Sequence, residues 1–181
     1  KILSGPFKVL LEPSAMPYTK VKVVNDTLVV TAEYTGGYRG NSGNFLLYVF
    51  CPTLSSLQCN TTSLVDGQPK TDTTANEYFS WRQTLLEDFR LDTLSIVQDH
   101  GSDIRLVKSI FNALHADVGV SPGSGSQLVF GDSNQIDRAH LNIRNKSRLL
   151  IQDALHGQQL DYTLDNNARM TLYGRADRHL K

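Results

Sequence analysis

Two stretches in the C-terminal half decide the predicted fold. They read Ser102-Asp-Ile-Arg-Leu-Val-Lys-Ser-Ile-Phe-Asn-Ala-Leu114 and Ser147-Arg-Leu-Leu-Ile-Gln-Asp-Ala-Leu155. In the first, apolar residues recur at the spacing of one helix face, at Leu106, Val107, Ile110, Phe111 and Leu114. This spacing predicts an amphipathic helix that Gly119 ends. The second stretch predicts a shorter helix that stops at Gly157.

Short strands are predicted around these two helices. They are Thr93 to Val97, Gln127 to Phe130, Leu141 to Ile143, and a final hairpin from Leu160 to Leu172 that turns at Asn166-Asn167. Together the elements predict a small module over residues 92–181 with the order βαββαββ.

The first part of the chain, residues 1–73, is predicted to be an antiparallel β domain. Apolar or alternating strands are expected within 7–11, 20–34 and 44–51, and residues 52–74 are rich in loop-forming residues. Residues 74–91 are predicted to form a connecting helix with an aromatic stripe through Tyr78, Trp81 and Phe89. We identify no internal repeat. The predicted fold class is therefore α+β.

Composition excludes some classes of function. The chain has 181 residues, of which 40% are apolar and 20% charged, so it can form a packed core. The 18 basic and 18 acidic residues balance, which argues against a nucleic-acid binder. The chain has no run of eighteen apolar residues, so no membrane-spanning helix is predicted.

The sequence supports no catalytic, cofactor or metal site. Gly119-Val-Ser121-Pro-Gly123 matches the hydrolase pattern G-x-S-x-G, but a predicted helix precedes Ser121 and a Gly/Ser loop follows it. Pro122 also lacks the backbone N–H that an oxyanion hole would need. The five histidines have no spacing that is diagnostic of a metal site. We therefore expect a protein that is not an enzyme.

The two cysteines and three sequons bear on the compartment. Cys51 and Cys59 could close a small disulfide ring, which would imply an oxidising environment, or they could be two buried thiols. Sequons occur at Asn25, Asn60 and Asn145, but about this many arise by chance in an Asn-rich chain. The disulfide is the favoured interpretation.

Residues 92–175 resemble the short N-terminal module of secretins and TonB-dependent signalling receptors, the STN or N0 domain. The likeness is carried by the order of elements and by two endings, Leu155-His-Gly-Gln-Gln-Leu160-Asp-Tyr162 and Asn167-Ala-Arg-Met170-Thr-Leu172. The sequence departs from the family near Gln159, where a second Gly is usual, and in residues 121–126, which look inserted. The resemblance covers less than half of the chain.

This resemblance implies a periplasmic, non-enzymatic component of a secretion, pilus or receptor-signalling assembly. Its partners would be other envelope proteins or further copies of itself in a ring or oligomer. The alternative is a secreted or surface-exposed adhesin or structural subunit whose β domain binds a ligand. Under both readings the protein is exported, behind a signal peptide, and has no cofactor.

Overall fold

Strands dominate the structure, a computed structural model that describes residues 1–35, 47–73, 83–152 and 159–174. These residues form seventeen strands and one short 3-10 helix, Met16–Tyr18. The strands are β1 (Ile2–Ser4), β2 (Lys8–Leu11), β3 (Thr19–Val24), β4 (Thr27–Tyr34), β5 (Leu47–Cys51), β6 (Ser56–Cys59), β7 (Thr62–Val65), β8 (Gln68–Thr71), β9 (Thr84–Glu87), β10 (Arg90–Gln98), β11 (Asp103–Val107), β12 (Ile110–Val118), β13 (Gln127–Phe130), β14 (Gln135–Ile143), β15 (Arg148–Gln152), β16 (Gln159–Leu164) and β17 (Arg169–Tyr173).

Two parallel stacks of strands make up most of the molecule. One sheet has the order β17-β15-β13-β11-β9-β1-β5-β2, and the second has the order β16-β14-β12-β10-β6. From β9 onward the chain alternates between them, and from β11 onward each strand pairs in parallel with the strand two places earlier. This winding of successive coils is a β-solenoid.

Equivalent positions recur from coil to coil. In the first sheet Thr84, Ile104, Leu128, Leu149 and Met170 lie side by side, at spacings of 20, 24, 21 and 21 residues. Each coil therefore stacks its apolar residues on those of the coil before, and the core fills the space between the two sheets. Leu106, Phe130 and Leu114 are among the fully buried core residues.

Polar side chains satisfy the backbone where the chain turns between the sheets. At one corner the hydroxyl of Ser109 accepts the N–H of Phe89, and the Asn134 side chain accepts the N–H of Ser109. At the other corner Ser126 donates its hydroxyl to the carbonyl of His100. Buried backbone groups in such corners have no strand partner, so these bonds remove a large desolvation cost.

The N-terminal residues extend the first sheet and add a third. β1 inserts in parallel between β5 and β9, whereas β2 pairs antiparallel with β5 at the sheet edge. The hairpins β3–β4 and β7–β8 join into a separate four-stranded sheet. In both solenoid sheets, strands from before the connecting segment predicted at 74–91 are thus hydrogen-bonded to strands from its end onward, β1 to β9 and β6 to β10.

The predicted α+β class is wrong, because the segment expected to form the first helix is two strands. Residues 103–107 are β11, Lys108 turns the backbone with a φ of 49°, and β12 begins at Ile110. Helices do not accommodate a positive φ. Within β11 every second residue is buried, at Ile104 and Leu106. The corner before β12 changes which residues point inward, so the buried positions of the two strands together have a spacing close to that of a helix.

The second predicted helix and the final predicted hairpin are also wrong. Arg148–Gln152 is strand β15, in which Leu149 and Ile151 alternate toward the core, whereas 153–158 lie outside the described residues. β16 and β17 were predicted to pair with each other. They belong to different sheets instead, and each pairs with the preceding coil.

The connecting helix predicted at 74–91 is also not formed where the structure describes it. Residues 84–87 are β9, Phe89 is fully buried at a corner, and Tyr78 and Trp81 lie outside the described residues. The predicted loop at 52–74 contains three strands, β6 to β8. By contrast, the strands predicted within 7–11 and 20–34 are present, as is the part of the strand predicted at 44–51 that the structure describes, from Leu47 onward.

Candidate binding face

The outward side of the five-stranded sheet carries aligned polar residues. Because Leu94, Leu114, Leu141 and other residues of these strands point into the core, their neighbours point outward. Parallel register then places equivalent side chains in columns. We call two of these columns the polar face: Ser95, His115, His140 and Asp161 form the first, and Val97, Asp117, Asn142 and Thr163 form the second.

Hydrogen bonds order the second column. Thr163 donates its hydroxyl to the side-chain oxygen of Asn142 at 2.7 Å, and the Asn142 amide donates to Asp117 at 3.1 Å. Arg144 contacts the same carboxylate oxygen at 3.2 Å. These bonds fix which way the Asn142 amide points, so its polar atoms have a defined orientation on an otherwise flat surface.

Two exposed imidazoles lie side by side in the first column. The ring centroids of His115 and His140 are 6.3 Å apart and the rings are tilted by 53°. No diagnostic spacing singled out these histidines in the sequence, and stacking of the coils places them side by side. Among the described residues, no three His, Cys, Asp or Glu side chains are grouped as metal ligands.

An open cleft adjoins the polar face where the strands begin. It has a volume of about 440 Å³ and lies between residues 53–55, the first residues of β10, and Ile110 and Asn112 of β12. Within it the Asn112 amide donates to the Asp92 carboxylate at 2.9 Å, and Arg90 adds a cation. The polar face and the cleft therefore offer amides, hydroxyls and charges of both signs, without a basic excess.

The G-x-S-x-G serine lies at a corner, bonded to a carboxylate. The Ser121 hydroxyl and N–H both donate to Asp99, at 2.5 and 2.9 Å, and the His100 N–H donates to it as well. Burial alone would raise the pKa of Asp99, but these hydrogen bonds outweigh it and lower the pKa to about 2.

This corner does not have the chemistry of a nucleophilic triad. In a triad, histidine takes the serine proton. Here the serine hydroxyl is bonded to Asp99, and His100 Nδ1 lies 4.0 Å from the same carboxylate. A carboxylate with a pKa of about 2 is a weak base, so this arrangement builds a turn and activates no nucleophile.

A half-buried acid lies on the outward side of the eight-stranded sheet. Asp103 accepts the side-chain amides of Gln83 and Gln127 at one oxygen, at 3.1 and 3.3 Å, and its other oxygen is buried and has no hydrogen-bond partner among the described residues. Burial raises the pKa of Asp103 to about 6, against the opposing effects of these hydrogen bonds and of Arg105. No sequence pattern singled out this residue.

The two cysteines are both free thiols in the structure, so the predicted Cys51–Cys59 disulfide is not formed. Cys51 ends β5, next to the corner that leads into β6, whereas Cys59 lies at the far end of β6. Three strand residues span about 10 Å, which exceeds the Cα separation of a disulfide. Burial raises the pKa of both thiols, that of Cys59 to about 11.

The sequons differ in how their side chains are used. Asn25 is exposed in the β3–β4 turn and Asn60 is exposed after β6. The amide nitrogen of Asn145 donates to the carbonyls of Gly119 and Ser121, at 2.7 and 3.0 Å, so a glycan on this nitrogen would remove at least one of these corner bonds. The predicted site residues thus do not converge on one place.

The columns of the polar face were missed at the sequence level, although a signal for them exists. The segments Leu94-Ser-Ile-Val-Gln98, Leu114-His-Ala-Asp-Val118, Ala139-His-Leu-Asn-Ile143 and Leu160-Asp-Tyr-Thr-Leu164 align as repeats. A search for repeats of 20 to 25 residues would have brought the outward residues together.

Comparisons with known proteins add no relative. No family model, no curated protein and no solved structure matches this chain. Within the part of the chain that the structure describes, no helix has the length and apolarity needed to cross a membrane.

Proposed function

We propose that this chain is a non-enzymatic, exported binding module, a surface-exposed adhesin or structural subunit, whose polar face holds an uncharged glycan. The observation that carries the proposal is the bonded column Asp117–Asn142–Thr163 beside the histidine pair. The α/β module expected from the STN resemblance is replaced by a solenoid. An envelope-assembly role therefore has less structural support than a role for the face of the solenoid.

The chemistry of the polar face favours a polyhydroxyl ligand. Amide and carboxylate side chains bind hydroxyl groups, and the exposed imidazoles provide flat rings against which a sugar can pack. Neighbouring strands lie about 4.8 Å apart, close to the length of one sugar residue in a linear polymer. A chain of sugars crossing β10, β12, β14 and β16 would therefore meet one polar side chain of the first column at every strand.

Other ligand classes fit less well. Nucleic acid requires a basic surface, whereas the polar face and cleft carry Asp92, Asp117 and Asp161 beside Arg90 and Arg144. Stable protein partners usually bind through buried aromatic anchors, and the two columns contain none. Export to the periplasm or beyond, with other envelope proteins or further copies as partners, remains part of this proposal.

Affinity electrophoresis in gels that contain soluble uncharged glucans, mannans or xylans tests the proposal. We expect at least one polymer to retard the protein, and Asn142→Ala to weaken the apparent Kd about tenfold, the effect of losing one or two hydrogen bonds. Thr31→Ala is the matched control for Thr163→Ala. It makes the same substitution at an exposed threonine of the β3–β4 hairpin, which belongs to a different sheet from the polar face.

The matched pair decides whether the polar face is responsible. Thr163→Ala should weaken retardation and Thr31→Ala should not. An equal loss in both variants, or migration that none of the three polymers alters, would contradict the glycan proposal.

A further inference from the structure

Two histidines of the polar face are direct neighbours on adjacent strands. His115 on β12 is in register with His140 on β14, and both side chains are exposed. Neighbouring strands of a sheet lie about 4.8 Å apart, so the two imidazoles leave the surface at nearly the same place. The glycan proposal uses the flat faces of these rings and gives their nitrogen atoms no role.

The backbone beneath this pair is held in place by the core. On β12 the neighbours Leu114 and Ala116 are buried, and on β14 the neighbours Ala139 and Leu141 are buried as well. Burial on both sides of each histidine fixes the direction in which its side chain leaves the sheet. A site whose groups are positioned by packed strands loses little conformational freedom when it takes up a ligand.

The ring geometry suits a shared metal ion. The ring centroids are 6.3 Å apart and the rings are tilted by 53°, so the pair is not stacked face to face. Zinc binds an imidazole nitrogen at about 2.1 Å, and two rings on one tetrahedral ion therefore have centroids about 5 Å apart. Rotation of the two exposed side chains, which is fast, closes the remaining distance of about 1 Å.

The charges nearest to the pair balance one another. Asp161 lies next to His140 in the same column, and its carboxylate offsets Arg138, which is exposed two residues before His140. On the other strand, Asp117 is bonded to Arg144 at 3.2 Å. A cation that approaches the imidazoles therefore meets no net positive charge from these neighbours.

We propose that His115 and His140 together bind one divalent ion of the zinc, nickel or copper class. Imidazole nitrogen suits these metals, whereas calcium and magnesium require oxygen ligands. Among the described residues no third His, Cys, Asp or Glu completes the site, so water fills the other positions of the ion. The site should therefore be weaker than a structural zinc site, which has four protein ligands. The proposal does not rest on glycan binding.

Isothermal titration calorimetry of the whole chain with zinc chloride, without glycan or a chelating buffer, tests the site. We expect saturable binding, and His115→Asn and His140→Asn should each weaken the Kd at least about tenfold. His100→Asn is the matched control, because His100 lies at a corner with a φ of 58°, a conformation that asparagine tolerates. It should leave the zinc Kd unchanged.

Moving the pair by one strand gives a sharper test. Ser95 on β10 is in register with His115 on the side opposite to His140. Adding Ser95→His to the His140→Asn variant therefore rebuilds two neighbouring imidazoles and should restore the zinc Kd to near the wild-type value. Thr31→His in the same background places the new imidazole in a different sheet and should restore nothing.

Three results would each overturn the proposal. They are a wild-type chain that does not bind zinc, a Kd that neither histidine variant changes, and a folded Ser95→His variant that does not restore binding. Far-UV circular dichroism reports whether that variant is folded, and if it is not, the two single variants decide alone. Thr163→Ala, which tests glycan binding, should leave the zinc Kd unchanged, so either proposal can fail without the other.

Discussion

The side-chain oxygen of Asn134 accepts the backbone N–H of Ser109 at 3.1 Å, which ties two successive coils together at a buried corner. The Asn134 amide also donates to the carbonyls of Leu106 and Gly131, both at 2.8 Å. One side chain therefore pairs the N–H of Ser109 and the carbonyl of Gly131, and adds a second bond to the Leu106 carbonyl, which also accepts the N–H of Gly131. Corner residues of this kind, as well as the apolar core, hold the solenoid in register.

Replacing Asn134 by alanine should be strongly destabilising. The change removes the side-chain partner of the Ser109 N–H and of the Gly131 carbonyl, so we expect a loss of about 3 kcal/mol in the free energy of unfolding, measured by urea denaturation. Asn112→Ala is the matched control, because the exposed Asn112 bonds to the exposed Asp92 alone. A loss for Asn134→Ala no larger than that of the control would contradict the role of this corner.

Two glycines with nearly the same backbone conformation should respond differently to alanine. Gly119 has a φ of 78°, and a Cβ there would lie 2.0 Å from the Ser147 hydroxyl oxygen and 2.6 Å from the Arg144 carbonyl oxygen. Gly123 has a φ of 81° with open space around it. Gly123→Ala should cost about 1 kcal/mol through backbone strain alone, and Gly119→Ala at least about 2 kcal/mol more, by thermal unfolding. Equal costs would mean that the coils are not packed at this corner as described.

Asp103 should make stability depend on pH. Burial raises its pKa from the ordinary 3.8 to about 6 in the folded chain, so between these values the folded state binds the proton more tightly than the unfolded state. Its contribution to stability is therefore present at low pH and lost as the pH rises from about 4 to about 6.

The Asp103→Asn variant should lack this loss. At pH 7 we expect it to be more stable than the wild type by up to about 3 kcal/mol, with the difference vanishing near pH 4. Asp26→Asn, which removes an acid from the exposed β3–β4 turn, is the control. Urea denaturation at a series of pH values measures both variants, and a wild-type advantage at pH 7 would contradict the assignment.

The cysteines should be protected thiols. Because burial raises the pKa of Cys59 to about 11, little thiolate is present in the folded chain, and alkylation with iodoacetamide should be slow. After unfolding without reductant, mass spectrometry should show both cysteines alkylated. A chain that stays unalkylated until a reductant is added would show that the Cys51–Cys59 disulfide predicted from the sequence does form.

The sequence predicted strands far better than it predicted how they are arranged. Gln127 to Phe130 was placed correctly, because an apolar strand between turn-forming residues carries a local signal. The helix expected over 102–114 was wrong because its apolar residues come from two strands and a corner, whose combined spacing resembles 3.6 residues. Only the stacking of one coil on the next, which pairs Leu114 with Ala139, distinguishes the two cases.

Local sequence patterns did not reveal the polar face either, because it forms only when the coils stack. His115, His140 and Asp161 are separated by more than twenty residues along the chain and become neighbours through parallel register alone. Asp103 was missed because its burial is a property of the assembled sheet. The sequence argument against a hydrolase site at Ser121 assumed a helix before this residue, whereas strand β12 precedes it, and the Ser121 hydroxyl bonds to Asp99 at a corner.

The central claim is that residues 103–152 and 159–164 are stacked coils, and nuclear Overhauser contacts in an isotope-labelled sample test it most directly. Ala116, Leu141 and Tyr162 occupy neighbouring positions on three parallel strands. We predict backbone contacts between Ala116 and Leu141 and between Leu141 and Tyr162, with strand-type chemical shifts through 110–118. Contacts between residues three and four apart through 103–114, with helical shifts there and none of the coil-to-coil contacts, would contradict the account.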